Sequence, residues 1–304
     1  VPAIDLPLQG PYDLALTLRS LVRGHGDRTI RVSTQDAWWT GRMPSGPTTL
    51  VVTRGPATIH IEAHGPGAAE GLARAPDLLG LGPASRGTAG LRDVADPRIA
   101  RLANRAPGIR VPRTGAVFEA LVAAILEQKV TGTEARHVWH GLVRAFGEPA
   151  PGGEALGLRL FPAPAALAAL PYHRYHPFGL ERRRADLVRA VANRAAWFEA
   201  IVDLPLPDAY ARLLAVPGIG PWTAAEVAVR ALGDEDAVSV GDFHIPNLVS
   251  WALAGEPRGS DARMLELLEP YRGRRALVVR LLELSGMRAP RYGPRLAPRM
   301  IAGI

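Results

Sequence analysis

The sequence predicts a mainly α protein that opens with a small α+β domain. Hydrophobic residues recur with a period of two between about Thr29 and Ala63, in runs broken by Gly, Pro and Ser, which is the pattern of a small antiparallel sheet. From about Asp96 onward the recurrence becomes helical. A length of 304 residues accommodates about two domains of ordinary size. The change of period sets their expected limits: an N-terminal α+β domain over 1–95 and a helical domain over 96–304.

In chain order, Leu14, Leu18 and Leu21 lie at helical spacing behind Pro11-Tyr12-Asp13, which predicts a first helix over 11–23. Strands are expected around Thr29–Ser33, Ala37–Thr40, Thr48–Thr53 and Ala57–Ala63. Phe118, Leu121, Val122, Ile125 and Leu126 form the stripe of one later helix, and Val138, Leu142, Val143 and Phe146 that of another, ended by Gly147. Residues 147–165, rich in Gly, Pro and Ala, read as a loop, and a further helix is expected over 181–201. The tail from Gly286 sets Arg288, Arg291, Arg295 and Arg299 among prolines and glycines, an irregular basic segment.

Composition narrows the functional classes. With 47% hydrophobic and 21% charged residues, and no apolar run near the roughly 20 residues of a membrane span, the chain reads as globular, with no membrane partner. The absence of cysteine excludes disulfide frameworks, thiolate zinc sites, iron–sulfur clusters and cysteine nucleophiles. No charged, apolar and small-residue succession at the start reads as a signal peptide, so a cytoplasmic protein is expected. The net charge of +7 points to a polyanionic partner or to a coding bias toward arginine. Among the 36 basic residues the single lysine is Lys129.

The densest signal lies between residues 208 and 242. Asp208 to Val216 predicts a short helix with Asp208 as its cap. Pro217-Gly218-Ile219-Gly220 breaks that helix, and Pro221-Trp222-Thr223-Ala224-Ala225-Glu226 starts another with proline in its first turn. A helix, a Gly-rich hairpin and a second helix thus span 208–232. The two glycines permit a tight turn and close approach to a ligand, and backbone amides at such a turn suit a phosphate. Twenty-two residues after Gly220 comes Asp242, before the helical pattern Phe243 to Leu253. It stands where a helix cap belongs, a role compatible with catalysis.

This pairing resembles the helix–hairpin–helix DNA glycosylase superfamily, whose signature LPGIG-x-x-TA is followed about twenty residues later by a catalytic aspartate. Within it the chain looks like the bacterial 3-methyladenine DNA glycosylase II branch along nearly its whole length. Pro11-Tyr12-Asp13, Arg110-Val111-Pro112, Phe118-Glu119, the run Ala123 to Val130, and Leu180 to Ala185 carry the likeness beyond the hairpin. The resemblance implies a helix–hairpin–helix glycosylase fold with a small antiparallel sheet domain, acting as a monomer on double-stranded DNA with damaged bases, in the bacterial cytoplasm and nucleoid. It implies Asp242 as the catalytic carboxylate and Pro217, Gly218, Ile219, Gly220 and Thr223 as contacts to the DNA backbone. Gln128 and Lys129, at a helix end, correspond to the wedge that fills the gap left by a flipped nucleotide; for Lys129 the alternative is a solvated residue at a helix C-terminus. Carbonyls of Leu214, Val216 and Ile219 correspond to a site for a monovalent cation, and no other cofactor is expected. Where members with lyase activity carry a lysine, this chain has Trp222, which implies hydrolysis without a Schiff base.

The family's pocket for alkylated purines is lined by aromatic rings. Here its positions fall on Trp222, Glu226, Phe243, Leu281 and Leu282, so several rings are missing. Trp222 and Glu226 are four apart and share a helix face. Glu226 either meets the base, by hydrogen bonds or by attracting a cation, or is a solvated helix residue. The remaining conspicuous residues have two readings each. Trp38-Trp39 is core plus one exposed ring, rather than a base-stacking pair. His173-Arg174-Tyr175-His176 is a DNA-facing or packing loop, rather than a metal site. The run Glu181 to Arg184, with Arg272, Arg274 and Arg275, comprises phosphate contacts or solvated faces. The expected function is a monofunctional glycosylase that flips a damaged, alkylated purine and hydrolyses its N-glycosidic bond. The alternatives are a helix–hairpin–helix protein that binds DNA or lesions without cutting, a glycosylase for a non-alkylated lesion, and a glycosylase/lyase using Lys129.

Overall fold

A computed structural model describes residues 1–83 and 85–290. Arg291, Arg295 and Arg299 of the basic tail lie outside them. Five strands, β1 (Ala3–Pro7), β2 (Ile30–Val32), β3 (Asp36–Met43), β4 (Gly46–Arg54) and β5 (Thr58–His64), form one antiparallel sheet in the order β1-β5-β4-β3-β2. Pairing Trp39 with Leu50 and Val52 with Ile61 puts the apolar alternates on one face. That face is buried under α1 (Leu14–Leu18) and α2 (Ala68–Leu78). Helix α2 comes close to β4 at Gly71, where a β-carbon would stand 3.1 Å from the Thr48 hydroxyl.

The rest is helical: α3 (Pro97–Arg105), α4 (Val117–Glu127), α5 (Gly132–Phe146), α6 (Pro164–Ala169), α7 (Arg182–Asn193), α8 (Ala195–Glu199), α9 (Leu206–Leu214), α10 (Pro221–Val227), α11 (Ile245–Ala254), α12 (Asp261–Leu268) and α13 (Arg275–Leu284). Helix α4 is apolar on nearly every side and is the axis of the main core, packed by α5, α7, α8 and α10. A third cluster joins α3 and the Ile109–Val111 stretch to α11, α12 and α13. Among the described residues no helix is long and apolar enough to cross a membrane.

Several expectations need correction. The first helix is only Leu14–Leu18 and tightens into a 3₁₀ turn to Leu21; the Asp13 carboxylate fixes its start by accepting the Leu16 amide at 2.8 Å. The expected helix over 181–201 breaks at Arg194, whose guanidinium lies 4.2 Å over the Trp197 ring. Asp208 does not cap α9, which begins at Leu206 behind Pro205 and keeps Asp208 in its first turn. Strand β1 and helix α2 were not expected, although Ile4, Leu6 and Leu8 alternate and Ala68, Leu72, Ala75 and Leu78 lie at helical spacing. Trp39 is core and Trp38 half-buried beside it.

The arginines divide. The buried Arg184 is neither a solvated face nor a phosphate contact, because its Nη1 donates to the Leu126 carbonyl at 2.7 Å and closes the end of α4. Arg275 pairs with Asp236 at 2.6 Å, Arg272 pairs with Glu269, and Arg274 donates to the Gly90 carbonyl. Arg183 is exposed and makes no ion pair among the described residues. In the 173–176 loop, His176 meets the Tyr172 ring edge-on and the Tyr175 hydroxyl donates to the Leu167 carbonyl at 2.6 Å. No group of three or more His, Asp or Glu side chains among the described residues is placed to hold a metal ion.

Candidate active site

Helix α9 ends at Leu214, and the chain turns through Pro217-Gly218-Ile219-Gly220 into α10. Gly218 takes φ +93°, which glycine adopts without strain, and a β-carbon there would come 3.0 Å from Leu187 of α7. Ile219 is buried as the anchor of the turn, while Pro217 and Gly218 are exposed. The Val216 carbonyl accepts the Ile219 amide at 3.0 Å, which leaves it one lone pair. With Leu214 and Ile219 it offers neutral oxygens only, a donor set that fits a weakly charged hard cation rather than a transition metal.

The end of α4 reaches this hairpin. The Gln128 side-chain amide donates to the Gly218 carbonyl and to the Thr223 hydroxyl, each at 3.0 Å. The half-buried Gln128 side chain thus ties the end of α4 to the hairpin. Thr223 is 2% exposed, so its hydroxyl serves this tie and does not face a DNA backbone. Lys129, the next residue, is exposed and takes φ 55°, the one positive φ outside glycine among the described residues. A lysine held in the left-handed region costs roughly 1–2 kcal/mol, and such strain marks a position fixed by its surroundings. The bend follows from the tie on Gln128 and from Thr131, which opens α5 with a reciprocal Thr131–Glu134 capping box.

Asp242 meets α10 at Trp222, the residue next to the Thr223 that Gln128 reaches. Gly241, at φ +94°, turns the chain and donates its amide to Asp261 at 3.0 Å. The Asp242 Oδ1 atom accepts the amides of His244 and Ile245 at 2.7 and 2.9 Å, and Oδ2 accepts the Trp222 indole N–H at 3.0 Å. Helix α11 begins at Ile245, two residues later than the pattern implied, and the Asp242 carboxylate covers its first amides. Both oxygens are thus fixed in direction while the residue stays partly open to solvent.

Glu226 overturns both of its expected roles. It is 9% exposed, not solvated. Its oxygens are taken by the protein: Oε2 by Arg230, in a tight i,i+4 pair, and Oε1 by the Ser239 hydroxyl at 2.6 Å. Burial would raise this carboxyl, but the Arg230 charge and the hydrogen bonds from Ser239 and Arg230 outweigh it and hold Glu226 below the usual carboxylate range. Leu281 and Leu282 are 2% and 0% exposed in the third core cluster, so they form packing and not the wall of an open pocket. Phe243 is 75% exposed beside Asp242 and edge-on to His244. Further along α13, Glu283 is held above the usual range by burial, with Glu226 and Asp242 adding to it.

Behind Glu226, Arg23 pairs with Glu127 at 3.0 Å. A small cavity of about 30 Å³ is lined by Arg23, Arg230, Glu119, Thr29 and Trp39, and burial pushes Glu119 up to about 8. Sequence reasoning missed Ser239, Arg230 and Arg23. Only the Glu226–Arg230 spacing was there to be read, as an i,i+4 ion pair.

Fold, hairpin and aspartate together define a class. The chain has the fold of the helix–hairpin–helix DNA glycosylase superfamily. Within that class it resembles 3-methyladenine DNA glycosylase II. It is 36% identical over 150 residues to a probable bifunctional transcriptional activator/DNA repair enzyme AlkA of Mycobacterium tuberculosis, a match covering 49% of this chain and 30% of that protein. It is 27% identical over 183 residues to DNA-3-methyladenine glycosylase 2 of Escherichia coli, covering 59% of this chain and 62% of the other. The chain thus spans less than two thirds of the length of these relatives. A 3-methyladenine DNA glycosylase structure from Archaeoglobus fulgidus shares the fold at a TM-score of 0.78, with 22% identity over 92% of this chain and 97% of that one. No family model matches the chain.

Proposed function

We propose that this protein is a monofunctional DNA glycosylase of base excision repair, which flips a damaged, alkylated purine out of double-stranded DNA and hydrolyses its N-glycosidic bond with Asp242. The observation that carries the proposal is the Asp242 carboxylate, fixed through both oxygens between the start of α11 and Trp222 of α10, the helix that follows the Gly-rich hairpin. Relatives named as DNA-3-methyladenine glycosylases support the choice of reaction.

The hairpin backbone at Pro217, Gly218 and Gly220 meets the phosphodiester chain, and Lys129 enters or borders the gap left in the duplex. Its alkyl stem covers base edges while the ammonium reaches a phosphate. As the C1′–N bond breaks, the base departs with the bonding electrons and positive charge develops on the sugar. The Asp242 carboxylate stabilises that charge and orients the water, which adds to C1′ as its proton passes to the carboxylate and from there to solvent. Trp222 stands where lyase members have a lysine, so no Schiff base forms there. A monovalent cation held by the Leu214, Val216 and Ile219 carbonyls would bind the turn to the DNA phosphates; no cofactor takes part in the bond cleavage. The protein works as a monomer.

A second substrate class is favoured by the closed positions: Glu226 is tied up and Leu281 and Leu282 are buried where aromatic rings stand in the resembled family. A pocket with fewer rings suits a neutral, non-alkylated lesion as well as a cationic one. Duplexes bearing alkylated, deaminated or oxidised purines, assayed for free base and for strand scission, test both readings. Base release from an alkylated duplex without scission is expected. Intact DNA binding with no release from any of them would replace the enzyme by a lesion-binding protein.

A further inference from the structure

The loop that carries Asp242 is fastened to α10 at two rungs. On the helix, Trp222 and Glu226 are one turn apart and face the same way. On the loop, Ser239 and Asp242 are closed into a turn by the Asp242 amide, which donates to the Ser239 carbonyl at 3.1 Å. The Trp222 indole donates to Asp242 at 3.0 Å, and the Ser239 hydroxyl donates to Glu226 at 2.6 Å. Helix, upper rung, loop turn and lower rung form a closed ring of contacts. Arg230 grips Glu226 from the next turn and also donates to the Glu226 carbonyl at 3.2 Å.

We propose that Glu226 and Ser239 are positioning residues for Asp242: the lower rung sets the height of the loop on α10, so that the upper rung holds the carboxylate at one orientation. This rests on the assignment of Asp242 as the catalytic group. Glu226 is suited to the task because it is buried and charged. A buried carboxylate with both oxygens satisfied costs too much to unpair, so it pins whatever it holds. Ser239 is the matching choice on the loop, since a short hydroxyl leaves little freedom for the backbone behind it. An aromatic residue at 226, as in the resembled family, would offer no such pair of acceptors; in this chain the space goes to aiming the aspartate.

The test compares Ser239→Ala, Ser239→Thr, Glu226→Gln and Asp242→Asn with the wild type in single-turnover base release. It also records KM for the duplex, the thermal midpoint, and solvent exchange of the Trp222 indole proton by NMR. Ser239→Ala is expected to lower the rate by about 10- to 100-fold, the size of loss that a small misplacement of a reacting group produces. KM should be unchanged, indole exchange faster and the rate restored in Ser239→Thr. Ser239→Ala at the wild-type rate, with Asp242→Asn inactive, would overturn the positioning role and leave the aspartate assignment standing. If Asp242→Asn is as active as the wild type, both fall. Should Ser239→Ala not fold, Glu226→Gln carries the same expectation: a loss in rate without a change in KM supports the proposal, and an unchanged rate overturns it.

Discussion

The Pro217–Gly220 hairpin and the 238–242 loop both lean on α10, and they are secured by different parts of the residue. Apart from the buried Ile219 side chain, the hairpin is secured through its backbone: Gly218 at φ +93°, the Ile219 amide on the Val216 carbonyl, and the Gly218 carbonyl that receives Gln128. The loop is secured by side chains: Trp222 on Asp242, Ser239 on Glu226 and Asp261 on the Gly241 amide. A backbone-built turn presents a fixed run of polar groups to a ligand without depending on which side chains it carries. A side-chain-built loop gives one functional group one direction. The first arrangement suits gripping a repetitive polymer, and the second suits aiming a carboxylate.

That contrast is broken most sharply by removing a donor from the loop. Trp222→Phe keeps the ring and deletes the N–H, so Asp242 loses the contact at Oδ2. Base release should slow by about 10- to 100-fold, measured under single turnover, while the dissociation constant for the duplex stays close to wild type. A loss of affinity with the rate intact would show that Trp222 belongs with the hairpin and not with the aspartate.

A smaller effect is expected on the other side. Gly218→Ala forces a side chain into the left-handed region, at roughly 1–2 kcal/mol, and presses it against Leu187. The thermal midpoint should fall and duplex affinity weaken with it. An unchanged midpoint would mean that the turn does not need glycine's conformational freedom.

The same contrast explains what the residues alone revealed. The hairpin was legible because proline and glycine announce backbone geometry locally. Asp242 was legible because of its distance from the hairpin in the resembled signature. The ties between them were not, since Ser239 and Glu226 are thirteen residues apart and nothing local marks a hydroxyl that will meet a carboxylate. Gln128 and Thr223 were assigned to DNA by position, but their side chains meet each other. Leu281 and Leu282 were placed in the pocket by correspondence, where burial puts them in the core. In the sheet, period-two alternation found β2 to β5. Around strand β1 only Ile4, Leu6 and Leu8 alternate, at the edge of the sheet, and the helical spacing of α2 is masked by the breakers Gly71 and Pro76, so neither was expected.

Lys129 shows how a composition count and a structure meet. Its rarity drew notice, and its backbone gives the reason for its exposure: Gln128 is drawn inward on one side and α5 is capped on the other, so the chain between them bulges outward at Lys129.

The central claim is that Asp242 supplies the catalytic charge. The most direct measurement is the single-turnover rate of free base release from an alkylated duplex by wild type and Asp242→Asn. The substitution keeps the side chain's size and an oxygen to accept hydrogen bonds but removes the negative charge. A loss on the order of 100- to 1,000-fold or more is expected, with duplex binding retained. Equal release by the two proteins would contradict the assignment.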